Sequence, residues 1–179
     1  MYSDLHNHLL PGIDDGSTGT AETLRYLRSF AAEGVSTVVF TPHLLVPDLS
    51  ADRLEAELAL HRERFAEVVG AANGDDSLPD LALGQEILAR FPDDMGRIAG
   101  RPDVGLAGSD ALLIEFGFSA GFDAEGVIAC AHAEGRTVVV AHPERYDYAG
   151  RGDPIEAVAR WRDRGARIQV NGGSLAGLY

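Results

Sequence analysis

The chain alternates between short runs rich in β-branched and apolar residues and longer segments whose apolar residues recur every three or four positions. This alternation predicts strands separated by helices. The predicted strands are Tyr2–Leu5, Val35–Phe40, Leu81–Leu83, Ala111–Ile114, Thr137–Val140 and Arg167–Val170. Six apolar strands joined by helices or long crossovers predict an α/β fold built on a parallel sheet, which is either open or closed into a barrel.

The predicted helices have clear apolar faces and sequence signals at their ends. The longest is capped by Ser50, and its apolar stripe has spacings of four, three, four and three residues. The last begins at Asp153, with a proline at its first position and a glutamate at its third, and runs to about Arg164. The apolar stripe of the longest helix consists of Leu54, Leu58, His61, Phe65 and Val68. The other predicted helices are Thr20–Glu33, a short helix around Asp93–Ala99, and Asp123–Glu134.

The composition is that of an ordinary globular protein and excludes several classes of function. The length of 179 residues suits one domain, and one cysteine fits a reducing, cytoplasmic location. No apolar run is long enough to span a bilayer, and the first ten residues lack a basic leader. The net charge of −13 argues against nucleic acid or an anionic membrane as a partner.

Histidine or carboxylate side chains directly follow five of the predicted strands. In a parallel α/β fold the carboxyl ends of the strands share one face, which is where sites are built. Imidazole and carboxylate together are ligands for zinc, manganese or iron, so the sequence predicts a metal site at this face. The residues are His6 and His8, His43, Glu86, Glu115, and His142 with Glu144 and Arg145, and Asp14 and Asp15 add carboxylates after the first strand.

Each of these residues also has an ordinary structural explanation. His43 stands beside a proline turn, either glutamate could be a salt-bridge partner, and an Asp-Asp-Gly sequence is typical of a turn. Their occurrence at successive strand ends favours the metal site over these alternatives. Two other histidines are expected to be structural: His61 on an apolar helix stripe, and His132 near a helix C-terminus, where a cation is stabilised.

Cys130 matches the Cys-x5-Arg-Thr spacing of cysteine-dependent phosphatases, yet its position argues against a nucleophile. A phosphate-binding loop of that kind follows a strand and opens a helix, so that backbone N–H groups face the anion. Cys130 instead falls in the last turns of a predicted helix that leads into a strand. We therefore expect no thiol mechanism.

Seven short motifs, taken in order along the chain, resemble those of one protein family. They are Asp4-Leu-His6-Asn-His8, Pro11-Gly-Ile-Asp-Asp15-Gly, Thr41-Pro-His43, Gly84-Gln-Glu86-Ile, Leu113-Ile-Glu115-Phe, Ala141-His-Pro-Glu-Arg145-Tyr and Gln169-Val-Asn171. This family is the group of bacterial manganese-dependent protein-tyrosine phosphatases, of the capsule and exopolysaccharide type, within the polymerase-and-histidinol-phosphatase (PHP) superfamily. The resemblance implies a distorted, TIM-like (β/α)7 PHP barrel with three metal ions. It implies that His6, His8, Asp15, His43, Glu86, Glu115 and His142 are metal ligands and that Arg145 faces the substrate phosphate.

The chain departs from the family pattern at its C-terminus. The family closes its site with an Asp-x-His pair after a seventh strand, and this sequence ends at Tyr179 without that pair. The expectation is a single PHP phosphoesterase domain over residues 1–179 that is C-terminally incomplete, lacking the last strand and helices of the barrel.

The function implied by the resemblance is metal-dependent hydrolysis of phosphotyrosine on a protein, namely the tail of a bacterial tyrosine kinase that regulates polysaccharide export. The expected cofactor is Mn²⁺, with Fe or Zn as alternatives. The alternative functions are a small-molecule phosphatase of the histidinol-phosphate type and an inactive metal-binding remnant. No nucleic acid or membrane insertion is expected, and a homo-oligomer is left open.

Overall fold

The computed structural model describes residues 2–118, 121–148 and 152–178, so the chain end at Tyr179 lies outside the described residues. Within these ranges the helices alternate with single strands or pairs of strands. The strands are β1 (Tyr2–Asp4), β2 (Val35–Phe40), β3 (His43–Leu45), β4 (Asp80–Leu83), β5 (Glu86–Leu88), β6 (Ala111–Glu115), β7 (Thr137–Val140) and β8 (Arg167–Ile168). The α-helices are α1 (Thr20–Ala32), α2 (Ala51–Ala72), α3 (Pro92–Gly96), α4 (Ala124–Ala133), α5 (Pro154–Asp163) and α6 (Gly172–Leu175).

The chain divides into two compact units. The first comprises Met1–Leu44, Asp48–Glu86 and Asp103–Ser109 and contains a three-stranded sheet of order β1-β2-β4. Both strand pairs of this sheet are parallel. Its core joins β2 to the inner faces of α1 and α2, and the fully buried members are Leu10, Leu27, Val38, Phe40 and Val68.

The second unit comprises Leu45–Pro47, Ile87–Pro102 and Asp110–Tyr179. The second sheet has the order β3-β5-β6-β7-β8, and β7 pairs in parallel with both β6 and β8. The amphipathic helix α5 buries its apolar face through Ala157 and Trp161. The Trp161 ring packs edge-on against Phe116, with the ring centroids 5.5 Å apart, and so extends the core of this unit.

The α/β class predicted from the sequence is confirmed, with helices between strands and parallel pairing in both sheets. The sequence predicted one sheet, whereas the structure has two. The additional strands β3 and β5 have three residues each, too few for a periodic pattern to reveal them. Two predicted strands end early, at Asp4 and at Ile168, and the predicted short helix is displaced to Pro92–Gly96.

The helix starts read from the sequence are confirmed. The Ser50 hydroxyl accepts a hydrogen bond from the backbone N–H of Arg53 at the start of α2. The Asp153 carboxylate accepts bonds from the N–H groups of Ile155 and Glu156 at the start of α5. These bonds satisfy donors that the first helical turn would otherwise leave unpaired. In the described parts of the chain, no helix combines the length and the apolar character needed to cross a bilayer.

Candidate metal centre

The Glu86 side chain, at the first position of β5, is fully buried among three histidine rings of the first unit. Its Oε1 lies 3.1 Å from His6 Nε2. Its Oε2 lies 2.9 Å from His43 Nδ1 and 3.4 Å from His8 Nε2. A buried carboxylate is costly unless it is neutralised or a positive charge compensates it, and a bound cation would supply that charge here.

The two histidine-bearing loops of this unit are joined by a buried polar network. The Asn7 amide donates to the Val39 carbonyl at the end of β2, at 3.0 Å. The Asn7 backbone N–H donates to the Thr41 hydroxyl, and the Asn7 carbonyl accepts from the Thr41 backbone N–H. Because Asn7 lies between His6 and His8, and Thr41 two residues before His43, these bonds fix the three rings relative to one another.

The two neighbouring aspartates after β1 have different environments. The Asp14 side chain is only 4% exposed, and its Oδ2 accepts a hydrogen bond from His8 Nδ1 at 3.1 Å. It also accepts from the backbone N–H of His43. The other ring nitrogen of His8, Nε2, faces Glu86 and lies 3.4 Å from its Oε2. Asp15 is exposed and lies with His8 and His43, their donor atoms within 4.8 Å of one another.

A glycine allows the loop that bears these aspartates to close on β1. A Cβ at Gly16 would overlap the carbonyl oxygen of His8, so only glycine fits at this position. The same carbonyl accepts a hydrogen bond from the Ser17 backbone N–H, at 3.0 Å. The Asp-Asp-Gly sequence therefore fixes the backbone at His8 and also supplies carboxylates.

The donor set of the first unit fits a divalent cation. His6, His8 and Glu86 bring one ligand atom each to within 4.8 Å of one another, and His8, Asp15 and His43 form a second such group. Imidazole nitrogen with carboxylate oxygen is the set that Zn²⁺, Mn²⁺ and Fe²⁺ accept. The carboxylate of Asp14 on Nδ1 of His8 is the outer contact that commonly orients a ligating imidazole.

The other predicted site residues belong to the second unit. Glu115 is the buried last residue of β6, and His142 follows β7 with its backbone N–H donating to Gln169 Oε1 at 3.0 Å. His142 adopts a left-handed conformation with φ of 30°, which is uncommon for a residue other than glycine and is concentrated at functional sites. The Arg145 guanidinium lies over the ring of Phe118, 4.9 Å from its centroid.

The two histidines expected to be structural, His61 and His132, both lie in helices, and His61 is also hydrogen-bonded. His61 is fully buried on α2, and its Nδ1 lies 2.8 Å from Gln85 Oε1, so the ring donates to the residue before Glu86. Burial lowers the pKa of His61, which keeps the ring neutral. His132 lies in the last turn of α4, and Cys130 lies in the same helix ahead of β7, as the sequence predicts. Cys130 therefore has no helix N-terminus to activate it.

The sequence indicated no role for Asn7 or Thr41, and it offered Asp14 only as a second carboxylate beside the preferred ligand Asp15. Asn7 and Thr41 stood inside the recognised motifs, and Asp14 was the aspartate not preferred as a ligand. The signal was their position next to the histidines within each motif, but their contacts depend on loop conformation. The hydrogen bond between His61 and Gln85 was signalled more weakly, because His61 is a polar residue inside an apolar helix stripe.

The chain matches the family model described as capsular polysaccharide synthesis, CpsB/CapC, over residues 2–179. It is 29% identical over 177 residues to the tyrosine-protein phosphatase YwqE of Bacillus subtilis (strain 168). It is 27% identical over 178 residues to CapC of Staphylococcus aureus. Each alignment covers 98% of this chain and 66% of the relative, so the chain spans just under two thirds of the length of these proteins.

A solved structure supports the same relationship. It comes from work on YwqE of Bacillus subtilis and CpsB of Streptococcus pneumoniae, described as metal-dependent tyrosine phosphatases. The TM-score is 0.80 at 27% sequence identity, and the match covers 99% of this chain and 69% of the other. At this identity and coverage, the likeness extends to the whole described fold.

Proposed function

The chain belongs to the capsular polysaccharide synthesis family CpsB/CapC, and from that premise we propose that it is a metal-dependent phosphomonoester hydrolase acting as a protein-tyrosine phosphatase. The observation that carries the proposal is the fully buried carboxylate of Glu86, with three histidine nitrogens 2.9 to 3.4 Å from its oxygens. Metal-assisted hydrolysis needs such a nitrogen and oxygen donor set, fixed before the substrate arrives.

The proposed metal ligands of the first unit are His6, His8, Asp15, His43 and Glu86. The family resemblance adds Glu115 and His142, each at the C-terminal end of its strand. Mn²⁺ is the proposed ion, with three ions in the complete family site. A divalent cation held by these residues supplies a Lewis acid that neutralises charge on phosphoryl oxygens and acidifies water.

The residues of the chain have distinct proposed tasks in this reaction. Glu86 would hold the cation through its carboxylate oxygens, which lie 2.9 to 3.4 Å from the three histidine nitrogens. Asp14 holds the ring of His8 through Nδ1. Arg145 binds the non-bridging phosphate oxygens, because the planar guanidinium can donate two parallel hydrogen bonds. A tyrosyl leaving group, with a pKa of about 10, departs more readily than an alkoxide and needs less help from a general acid.

The proposed substrate is phosphotyrosine on a protein, the tail of a bacterial tyrosine kinase being the expected partner, in the cytoplasm. The relatives named as tyrosine phosphatases favour this substrate over a small molecule such as histidinol phosphate. An acidic chain with a net charge of −13 repels anions at long range. Bound cations reverse the local sign at the site, which makes an anionic substrate compatible with this composition.

The test compares three substrates with the Mn²⁺-loaded chain: a phosphotyrosyl peptide, the phosphoseryl peptide of the same sequence, and histidinol phosphate. We expect hydrolysis of the phosphotyrosyl peptide to have the highest kcat/KM and to disappear when EDTA is added. Preference for histidinol phosphate would instead support the small-molecule alternative. A metal-loaded chain that hydrolyses none of the three would contradict the proposed activity.

A further inference from the structure

Phe118 is a large apolar side chain that remains 41% exposed in the segment that follows β6. Its ring is stacked on that of His142, with the centroids 5.8 Å apart and the planes inclined by 18°. The Arg145 guanidinium lies over the same ring, 4.9 Å from its centroid. One exposed phenyl ring therefore contacts both functional side chains of the segment after β7.

The ring is held in a fixed position. The Phe118 carbonyl accepts a hydrogen bond of 2.7 Å from the Asp147 backbone N–H, which ties the segment after β6 to the segment after β7. The Tyr146 ring packs edge-on against Phe118 at 6.4 Å. Tyr146 is itself anchored, since its hydroxyl donates to the Ala141 carbonyl and accepts from the Phe116 backbone N–H.

The packing contacts of the Phe118 ring leave part of its apolar surface exposed, so that this surface can contact a bound ligand. Covering apolar surface on binding is favourable. The cation–π contact orients the Arg145 guanidinium, whose planar fork of N–H groups has the geometry that binds phosphate. In an aryl phosphate a single oxygen separates the phosphorus from the ring, so a phosphate on Arg145 brings the aryl group close to Phe118.

We propose that Phe118 is a specificity-determining residue that packs against the aryl group of the substrate and favours aryl over alkyl phosphate esters. The contact expected is edge-to-face or offset stacking, the arrangements that aromatic pairs prefer. This inference rests on the proposed function and on the assignment of the phosphate to Arg145. It adds that part of the selectivity for phosphotyrosine resides in one ring of this chain.

The test measures binding rather than turnover, so that leaving-group reactivity plays no part. Dissociation constants of phenylphosphonate and methylphosphonate are determined by calorimetry with the Mn²⁺-loaded chain and with Phe118→Leu and Phe118→Tyr. The matched control is Tyr26→Leu, since Tyr26 is 40% exposed and has the Arg25 guanidinium over its ring at 5.5 Å. The metal content of every variant is measured in parallel.

We expect wild-type protein to prefer phenylphosphonate and Phe118→Leu to weaken that ligand about fivefold while changing methylphosphonate less than twofold. Phe118→Tyr and Tyr26→Leu should keep the wild-type preference. Equal weakening of both phosphonates would mean that Phe118 acts only by placing Arg145, and unchanged constants would mean that it has no role. Either result overturns the inference but leaves the proposed function intact. Wild-type protein that binds neither phosphonate contradicts both.

Discussion

At the level of single residues, the two aspartates near His8 have different environments and different proposed roles: one orients the His8 ring and the other is a candidate metal ligand. Asp14 is nearly buried and accepts a hydrogen bond from Nδ1 of His8, whereas Asp15 is exposed and groups with His8 and His43 as a candidate ligand. The sequence Asp-Asp-Gly predicts two carboxylates near the histidines. It does not reveal which one faces the ring, because the loop conformation decides this.

The orienting role assigned to Asp14 predicts a loss of metal affinity when its acceptor is removed. Asp14→Ala should weaken Mn²⁺ binding about 10- to 100-fold, the usual effect of removing an outer-sphere partner. Asp14→Asn keeps an acceptor oxygen for Nδ1 of His8 and should recover most of the affinity. The measurement is a calorimetric Mn²⁺ titration, with Asp103→Ala, at an exposed ion pair with Arg62, as the control. Equal affinity in Asp14→Ala and wild type would refute the role.

His61 predicts a pH dependence of stability. Burial lowers the pKa of His61 in the folded protein below its usual value, so the unfolded chain takes up a proton first as the pH falls. Its contribution to stability is full above the unfolded pKa of about 6.5 and is lost as the pH drops below it, by at most about 1.4 kcal/mol per pH unit.

The measurement is urea unfolding of the metal-free chain between pH 7.5 and 5.5, comparing wild type with His61→Gln. All other titratable groups are the same in both proteins, so the difference between the two slopes isolates His61. We expect the slope of the variant to be shallower. Identical slopes would show that His61 does not resist protonation in the fold.

At the level of elements, the loop between β1 and α1 has the strictest requirement on one backbone position. Gly16→Ala places a methyl group against the carbonyl of His8, so the loop must shift away from the cluster. We expect a loss of about 1–3 kcal/mol in stability and weaker Mn²⁺ binding.

The control for this substitution is Gly70→Ala in α2, where a new Cβ meets open space. Alanine is the better helix former, so this change should stabilise the protein by up to about 1 kcal/mol and leave Mn²⁺ binding unchanged. Thermal melts and metal titrations on both variants make the comparison. Wild-type behaviour of Gly16→Ala in both measurements would mean that the loop tolerates a Cβ and does not clamp His8.

Elements with a clear apolar or β-branched pattern were predictable, the short strands β1 and β8 among them, whereas β3 and β5 were not. Strand β2 and helix α2 follow directly from β-branched content and from an apolar stripe that begins after a cap. Strands β3 and β5 begin at His43 and Glu86, two predicted metal ligands. A polar residue at the start of each short strand breaks the apolar pattern, and for this reason the sequence did not predict these two strands.

At the level of the whole molecule, the sequence determines the class of the fold more readily than the pairing of its strands. Alternating strands and helices imply parallel pairing, because the crossovers return each strand in the same direction. The division into sheets of order β1-β2-β4 and β3-β5-β6-β7-β8 depends on contacts between distant residues, which periodicity does not encode. The candidate ligands could be predicted as a set because they follow the predicted strands, but their individual contacts could not be predicted.

The most direct test of the account is Mn²⁺ binding by the Glu86→Gln variant, which keeps the shape of the side chain and removes its charge. Metal analysis after dialysis against Mn²⁺, with a calorimetric titration, is performed on this variant, wild type and Glu67→Gln, an exposed glutamate of α2 paired with Arg64. The account predicts stoichiometric Mn²⁺ in wild type and in Glu67→Gln and a loss of at least about 100-fold in affinity in a folded Glu86→Gln. Wild type that holds no Mn²⁺, or Glu86→Gln that holds it equally well, would contradict the metal centre.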